Sequence, residues 1–336
     1  MKTTDFAMYL SSFFTDYLPR QRNTSKNTIK SYRDCFKLFL KYITDEKGIS
    51  IDRITLKHID RKFILEFLSW LENTRACSIA TRNQRLAALE SYFKYVSTEN
   101  PELLFQMQQI SSIRIKKSPR PVISYLSVDS TKKLLSCIDT STRQGRRDLA
   151  MMSLLYDSGA RVQELIDLKA EDISLSTNPT IAVTGKGNKH RTIPITMNTR
   201  DILEKYMHEF RLNLPENKCL PMFRNKFNHK FTREGITYVL QKYSAIAHEK
   251  DPNIPVSITP HIMRHTKSMH LIQAGVDLVS IRDFLGHVDI STTDIYAKTS
   301  VEEKRKALKK AENLVTVEMK SWDSDGDLIE FLNSIK

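Results

Sequence analysis

Glycine is almost absent from the first 110 residues, Gly48 apart, while apolar residues recur there at three- and four-residue spacing. A stretch so poor in the residue that tight turns favour, and so regular in its apolar spacing, reads as a bundle of amphipathic helices. Thr4 to Leu18 places Phe6, Leu10, Phe13, Phe14 and Tyr17 on one side. Ser25 is placed to cap KNTIKSYRDCFKLFLKYI, whose apolar positions are Ile29, Tyr32, Phe36, Phe39, Leu40 and Ile43. RKFILEFLSWLEN reads as a third helix, and Ser78 can cap a long fourth, IATRNQRLAALESYFKYVSTEN. PELLFQMQQI adds a short fifth, opened by Pro101.

The pattern breaks at SSIRIKKSPRPVISYLS. Its two prolines favour extended chain and exclude a central strand. The reading is a helical domain over residues 1–112 and a basic linker over 113–123 carrying Lys116, Lys117 and Arg120. Such a linker suits a clamp around a duplex, and a merely solvated linker has the same composition. A mixed second domain spans 124–300, and a tail spans 301–336. In that second domain SVDSTKKLLSCI and RRDLAMMSLLYDSG are helical, Gly159 ends the latter, and RVQELIDL restarts a helix at Arg161. TIAVT and RTIPI are strand-like around the turn GKGNKH. NTRDILEKYMHEFRLN, TREGITYVLQKYSAIAHEK, a helix opened by Thr259-Pro260, DLVSIRDFLG and STTDIYAKTS complete a mainly α chain with a small β-sheet.

Charge narrows the function classes. The chain of 336 residues carries a formal net charge of +13. Residues 1–115 hold 18 Lys+Arg against 12 Asp+Glu, residues 116–300 hold 27 against 19, and residues 301–336 hold 7 against 8. Two basic bodies and a near-neutral tail point to a polyanionic partner, with nucleic acid first. The cysteines, Cys35, Cys77, Cys137 and Cys219, form no CxxC pair, which argues against a zinc ribbon and a disulfide framework. No apolar run approaches the roughly 18 residues of a membrane span, and the N-terminus has no secretory pattern. A cytoplasmic protein without membrane contact is expected.

Taken singly, the candidate residues are ambiguous. Arg161 stands at a helix start, where free N–H donors favour anions, yet a surface arginine has the same setting. Lys186, in TGKGNK, sits at a hairpin tip; the P-loop spacing is missing, and a solvated lysine fits equally. His261 and Arg264 are three apart and share a helix face. His261 and His265 are four apart, but HExxH is absent and no thiolate or carboxylate stands near to complete a metal site.

Their order is more informative. RVQEL, then a lysine in GKGNK, then HIMRH, then LGH, then a tyrosine nine residues on resembles the tyrosine recombinase (phage-integrase) family. The resemblance extends to the N-terminal half, where TSKNTIKSYRDCFKLFLKYI and SIATRNQRLAALESYFKYV are similar to helices of the family's core-binding domain. It implies a simple two-domain recombinase whose catalytic set is Arg161, Lys186, His261, Arg264, His287 and Tyr296, with Glu164 bracing the site.

The implied chemistry accounts for these residue types. Tyr296 would attack a DNA phosphorus and stay bound to the 3′ phosphate. Arg161 and Arg264 would hold the non-bridging oxygens with planar forks. Lys186 would protonate the departing 5′ oxygen, His261 would assist loss of the phenolic proton, and His287 would donate to the phosphate. No cofactor is needed, because the covalent link conserves the bond energy, and no metal is expected. Arg82, Asn83 and Arg85, at the start of the fourth helix, are placed for major-groove or phosphate contact; surface charge would look the same. The expected partner is double-stranded DNA at inverted-repeat sites. In the tail, DGDLIEFLNSIK spaces Leu328, Ile329, Phe331, Leu332 and Ile335 on one helical face. Docking of that face on a neighbouring subunit would link a tetramer on DNA. Integration or excision of a mobile element is the first expectation, and chromosome or plasmid dimer resolution the second. A catalytically silent DNA-binding protein is the rival outside enzymes, and a type IB topoisomerase the rival within them.

Overall fold

Thr4 turns its hydroxyl onto the Ala7 N–H and starts α1 (Asp5–Ser12). The same device recurs along the chain, which in this computed structural model is described over residues 4–118, 124–185 and 189–286. Ser25 caps α2 (Lys26–Asp45), Asp60 caps α3 (Arg61–Asn73) and Ser78 caps α4 (Ile79–Glu99). Each cap satisfies a backbone donor that the first helical turn leaves open. Between α1 and α2 the chain stays helical from Phe13 to Gln21 in wider π-turns that hold Pro19, further than the sequence pattern indicates. A short turn at Pro101–Leu103, capped by Asn100, leads into α5 (Leu104–Ser111).

These helices belong to the first of two units, Met1–Pro121 and Val122–Lys336. Its core is aromatic. Phe13 and Phe36 meet Tyr92 edge-on at ring-centroid distances of 5.4 and 5.1 Å, and the buried Tyr92 hydroxyl donates to the Phe6 carbonyl at 3.1 Å. The segment after α5 is not a free linker from its start. Ile113 is buried in this core, and the Lys116 N–H donates to Asn83 Oδ1 while its carbonyl accepts from Asn83 Nδ2.

The second unit is built around one buried helix. After α6 (Val128–Ser136) comes α7 (Arg143–Ser158), whose Ala150, Met151, Met152, Leu154 and Leu155 are all buried. α7 ends at Gly159, in the left-handed region at φ 56°. A side chain there would be strained, and its Cβ would also lie 2.9 Å from Leu285 Cδ2. α8 (Val162–Asp167) starts three residues on. The three-stranded antiparallel sheet is a meander of β1 (Ile173–Ser174), β2 (Thr180–Thr184) and β3 (His190–Pro194). β1 has only two residues, too few for an alternation readable in sequence. Ile181 pairs with Ile193 and Val183 with Arg191 across β2–β3, so Ile181, Val183 and Ile193 bury one face.

Four helices complete the described residues of this unit. They are α9 (Met197–Glu209), α10 (Arg233–Lys250), α11 (Pro260–Gln273) and α12 (Leu278–Leu285). Thr259 caps α11 with Pro260 at its first position, as the sequence indicates. α12 stops at Gly286, again left-handed at φ 66°. The expected helix STTDIYAKTS and the tail lie outside the described residues. None of the described helices is long and apolar enough to cross a membrane.

Candidate active site

Three segments meet in the second unit: the α7–α8 break, the N-terminal part of α11 and the α12 stop. Arg264, on α11, is only 4% exposed. Its Nη1 donates to the Gly159 carbonyl at 2.5 Å and its Nη2 to the Leu285 carbonyl at 2.6 Å. Arg161, the residue before α8, donates from Nη2 to the Gly286 carbonyl at 2.9 Å. Two arginines separated by more than a hundred residues thus close on the Leu285–Gly286 turn. The next residue is His287.

Glu164 organises Arg161. The carboxylate is buried and accepts four hydrogen bonds. Oε1 takes Arg161 Nη1 and Arg191 Nη1, both at 2.9 Å. Oε2 takes the Arg161 backbone N–H at 2.8 Å and Arg191 Nη2 at 2.9 Å. Burial alone would raise the Glu164 pKa. The Arg191 fork and the Arg161 backbone bond outweigh it, so the carboxyl stays below the usual glutamate range and carries its charge. Around this turn Arg161 and Arg191 share the Glu164 carboxylate, and Arg264 adds a third guanidinium bonded to two backbone carbonyls. The Arg161 side chain remains 35% exposed. Its described side-chain hydrogen bonds use two of the five N–H donors of a guanidinium.

The first two of the three histidines of α11 differ. His261 is exposed on the first turn and His265 half-buried, with ring centroids 6.4 Å apart. Burial, then the charges of His261 and Arg264, push the His265 pKa down, so it is neutral near pH 7. Among the described residues no cluster of three histidines, cysteines or carboxylates could hold a metal ion. His270 is structural: Nε2 meets the Leu126 carbonyl at 2.9 Å, and Nδ1 meets the Tyr156 hydroxyl at 2.8 Å.

Lys186, His287 and Tyr296 lie outside the described residues; the described neighbours of Lys186 and His287, Gly185 and Gly286, fall at the cluster. Gly185 accommodates Glu164, since a Cβ there would stand 3.2 Å from Oε1. The Gly185 N–H donates to the Lys189 carbonyl at 2.8 Å. Gly286 is the αL stop of α12.

The expected groove residues of the first unit need correction. Arg82 is 4% exposed and faces inward. Its Nη1 donates to Asn83 Oδ1 and the Arg114 carbonyl, and its Nε faces Glu72 Oε1 at 3.8 Å, an ion pair without a hydrogen bond. A buried, paired guanidinium presents no fork to a base edge, so Arg82 braces its own unit. Asn83 spends its amide on Lys116, and Arg85 Nη1 donates to the Ser31 carbonyl at 2.9 Å. Lys116 is half exposed and pairs with Glu72, and Lys117 is exposed. Arg120 lies outside the described residues.

Arg191 was not legible as a site residue from the motifs. Its signal is register: it stands two positions before the buried Ile193 on β3, so a charged side chain falls on the apolar face of the sheet and requires a buried partner.

Comparison with known proteins gives the family. Residues 124–303 match the phage integrase family, and residues 12–100 match the SAM-like N-terminal domain of phage integrases. The chain belongs to the phage integrase family and is a tyrosine recombinase. It is 33% identical over 99% of both chains to y4rC of Sinorhizobium fredii, an integrase/recombinase by name. It is 37% identical to the tyrosine recombinase XerD of Listeria monocytogenes, over 84% of this chain and 91% of that one. In fold it is similar to the Tn1549 transposon integrase solved with a circular intermediate DNA, at TM-score 0.70 and 15% identity, covering 92% of this chain and 100% of that one. It is also similar to the XerH recombinase solved with difH substrate, at TM-score 0.65 and 24% identity, over 89% and 84%.

Proposed function

We infer that this chain cuts and rejoins double-stranded DNA at specific inverted-repeat sites through a 3′-phosphotyrosyl link to Tyr296. One observation carries the reading: Arg161 and Arg264, from distant elements, converge on the turn immediately before His287. Guanidinium groups held by buried partners suit a phosphodiester gaining negative charge at the phosphorus.

In the step this supports, the Tyr296 oxygen bonds to phosphorus as the bond from phosphorus to the 5′ oxygen breaks. The phenolic proton leaves with help from His261, and Lys186 delivers a proton to the departing 5′ oxygen. Arg161 uses donors not spent on Glu164 and Gly286 to hold a non-bridging oxygen, Arg264 supports the same phosphate, and His287 donates to it. Attack by the 5′ hydroxyl of another strand reverses the step and rejoins DNA, with no external energy source. Lys116, Lys117 and Arg120 supply contacts to the duplex.

The biological role in this reading is integration or excision of a mobile element. The 40 residues after Tyr296 and the full-length match to a protein named integrase/recombinase support it. Chromosome or plasmid dimer resolution is the second reading.

A nicked suicide duplex tests the chemistry. The wild type is expected to form a covalent adduct that survives denaturation, and Tyr296→Phe to bind the same duplex without forming one. Absence of any wild-type adduct would leave a DNA-binding protein without catalysis. Relaxation of supercoiled DNA without strand exchange between two trapped sites would indicate a topoisomerase. Excision between directly repeated element ends, with integration of the excised circle, supports the mobile-element role. Activity confined to converting plasmid dimers to monomers supports dimer resolution.

A further inference from the structure

We propose that Arg191 is a positioning residue for strand cleavage: through Glu164 it orients Arg161, and its guanidinium forms the seat of the Gly286 turn. The inference rests on the reading of the site given above and adds a residue to it.

The first support is the shared carboxylate. Each Glu164 oxygen takes one bond from the Arg191 fork and one from Arg161, all between 2.8 and 2.9 Å. The parallel fork fixes the plane of the carboxylate. The carboxylate in turn fixes both the Arg161 backbone and its Nη1. If the fork is lost, Glu164 is free to rotate, and Arg161 loses its reference.

The second support is Gly286. A Cβ built on it would lie 2.8 Å from Arg191 Cζ and Nη1 and 2.9 Å from Nε. Near-equal distances to three atoms of one plane mean that the guanidinium lies flat against the turn. The Nε is buried there and has no hydrogen-bond partner among the described residues. The same turn offers its carbonyl to Arg161 Nη2. Arg191 therefore bears on Arg161 along two routes, through Glu164 and through Gly286.

The third support is the hairpin. A Cβ on Gly185 would lie 3.2 Å from Glu164 Oε1 and 3.5 Å from Arg191 Nη1. One guanidinium–carboxylate pair thus lies against the residue before Lys186 and the residue before His287. An ammonium has neither the fork nor the flat face for both contacts.

The full-length protein and a pool of nicked duplexes with randomised arms test this. Duplexes that the wild type traps covalently become the probe for single-turnover cleavage and for DNA affinity. Arg191→Met is expected to slow adduct formation roughly thirtyfold and Arg191→Lys roughly tenfold, the scale of a small misplacement of a reacting group. DNA affinity should stay within about twofold, because Arg191 meets protein and not phosphate. In an Arg161→Lys background, Arg191→Met should add less than about threefold, since both changes remove one interaction. Cleavage within about twofold of wild type for either single variant overturns the proposal. So does a full multiplicative slowing in the Arg161→Lys background, the signature of a general structural defect. If Arg191→Met fails to unfold cooperatively, Arg191→Lys, which keeps a charge opposite Glu164, decides alone. A wild type that traps no duplex overturns the functional reading and this inference with it, whereas an active wild type with unaffected Arg191 variants overturns only the inference.

Discussion

Glu164 holds two arginines in one buried cluster, and neutralising it should be costly. Glu164→Gln leaves two guanidiniums facing an amide that can accept only in part, and the expected loss is about 3 kcal/mol of unfolding free energy near pH 7, the scale of a broken buried ion pair. The pH dependence has a definite sign. The Glu164 pKa is lowered from 4.5 on folding, so its contribution is complete above that value and is lost as pH falls through the lower folded value. The stability gap between wild type and Glu164→Gln should therefore be constant from neutral pH down to about 5 and close at more acidic pH. Denaturant titrations across that range measure it, and a gap that widens in acid would contradict the assignment. Arg82 gives a second residue-scale expectation. Because its guanidinium is buried against Glu72, Asn83 and the Arg114 carbonyl, Arg82→Ala should cost about 2 kcal/mol in stability and leave the base preference of trapped duplexes unchanged. Altered preference with unaltered stability would restore a groove contact. These residues also mark where sequence reading succeeds and fails. Glu164 was named through the family resemblance, as the acidic residue that follows the first arginine, and in the fold its partner Arg161 is three positions away on the same turn. Arg191 was not legible, because its partner is 27 positions away and only strand register links it to a buried face. Arg82 was misread because a helix-start arginine beside groove and one beside a buried glutamate have the same local sequence.

Elements were more legible than contacts, since local chemistry decides where they begin and end. Ser25, Ser78 and Thr259 all cap the helices that their hydroxyls suggest, and Gly159 ends α7 where it stands in sequence. What escaped was structure that tertiary packing imposes: the two-residue strand β1 and the π-turns carrying helix past Leu18 to Gln21. The small sheet was readable as a hairpin, but its closeness to Glu164 was not, because that contact joins Gly185 to a helix 21 positions back. The α11 cap gives the prediction at this scale. Thr259 Oγ1 accepts the Ile262 N–H at 3.3 Å and starts the turn that carries His261. Thr259→Ala should cost about 1 kcal/mol, with the loss localised to the first turn. Arg264, one turn further and tied to two carbonyls, should hold its place. Hydrogen exchange should rise at the start of α11 and stay unchanged around Arg264, while the cleavage rate falls several-fold through the exposed His261. Equal loss of protection along all of α11 would mean that the cap holds the whole helix.

At the scale of the whole molecule, the charge distribution and the apolar positions of the tail lead to separate predictions. Residues 1–300 carry a net charge of +14 and residues 301–336 one of −1, so duplex affinity is expected of the two units and not of the tail. Binding should weaken steeply with salt, with a slope of roughly −0.9 per phosphate neutralised. Removing residues 324–336 deletes Asp325, Asp327 and Glu330 against one lysine, Lys336. Monomer affinity and its salt slope should therefore be unchanged or slightly stronger. The deleted stretch instead carries the apolar positions Leu328, Ile329, Phe331, Leu332 and Ile335. If these dock on a neighbouring subunit, their burial is what links protomers on DNA, and the truncated protein should bind a single half-site normally while losing cooperative filling of the second. On that docking model cleavage at one site should persist, whereas strand exchange, which joins protomers on two sites, should fall below detection. Gel-shift titrations on half-site and full-site duplexes separate these outcomes, with analytical ultracentrifugation of the DNA complexes reporting the assembly. Unchanged cooperativity and unchanged strand exchange in the truncated protein would place the apolar face against its own subunit, and the link between protomers would then have to come from surfaces within residues 1–323.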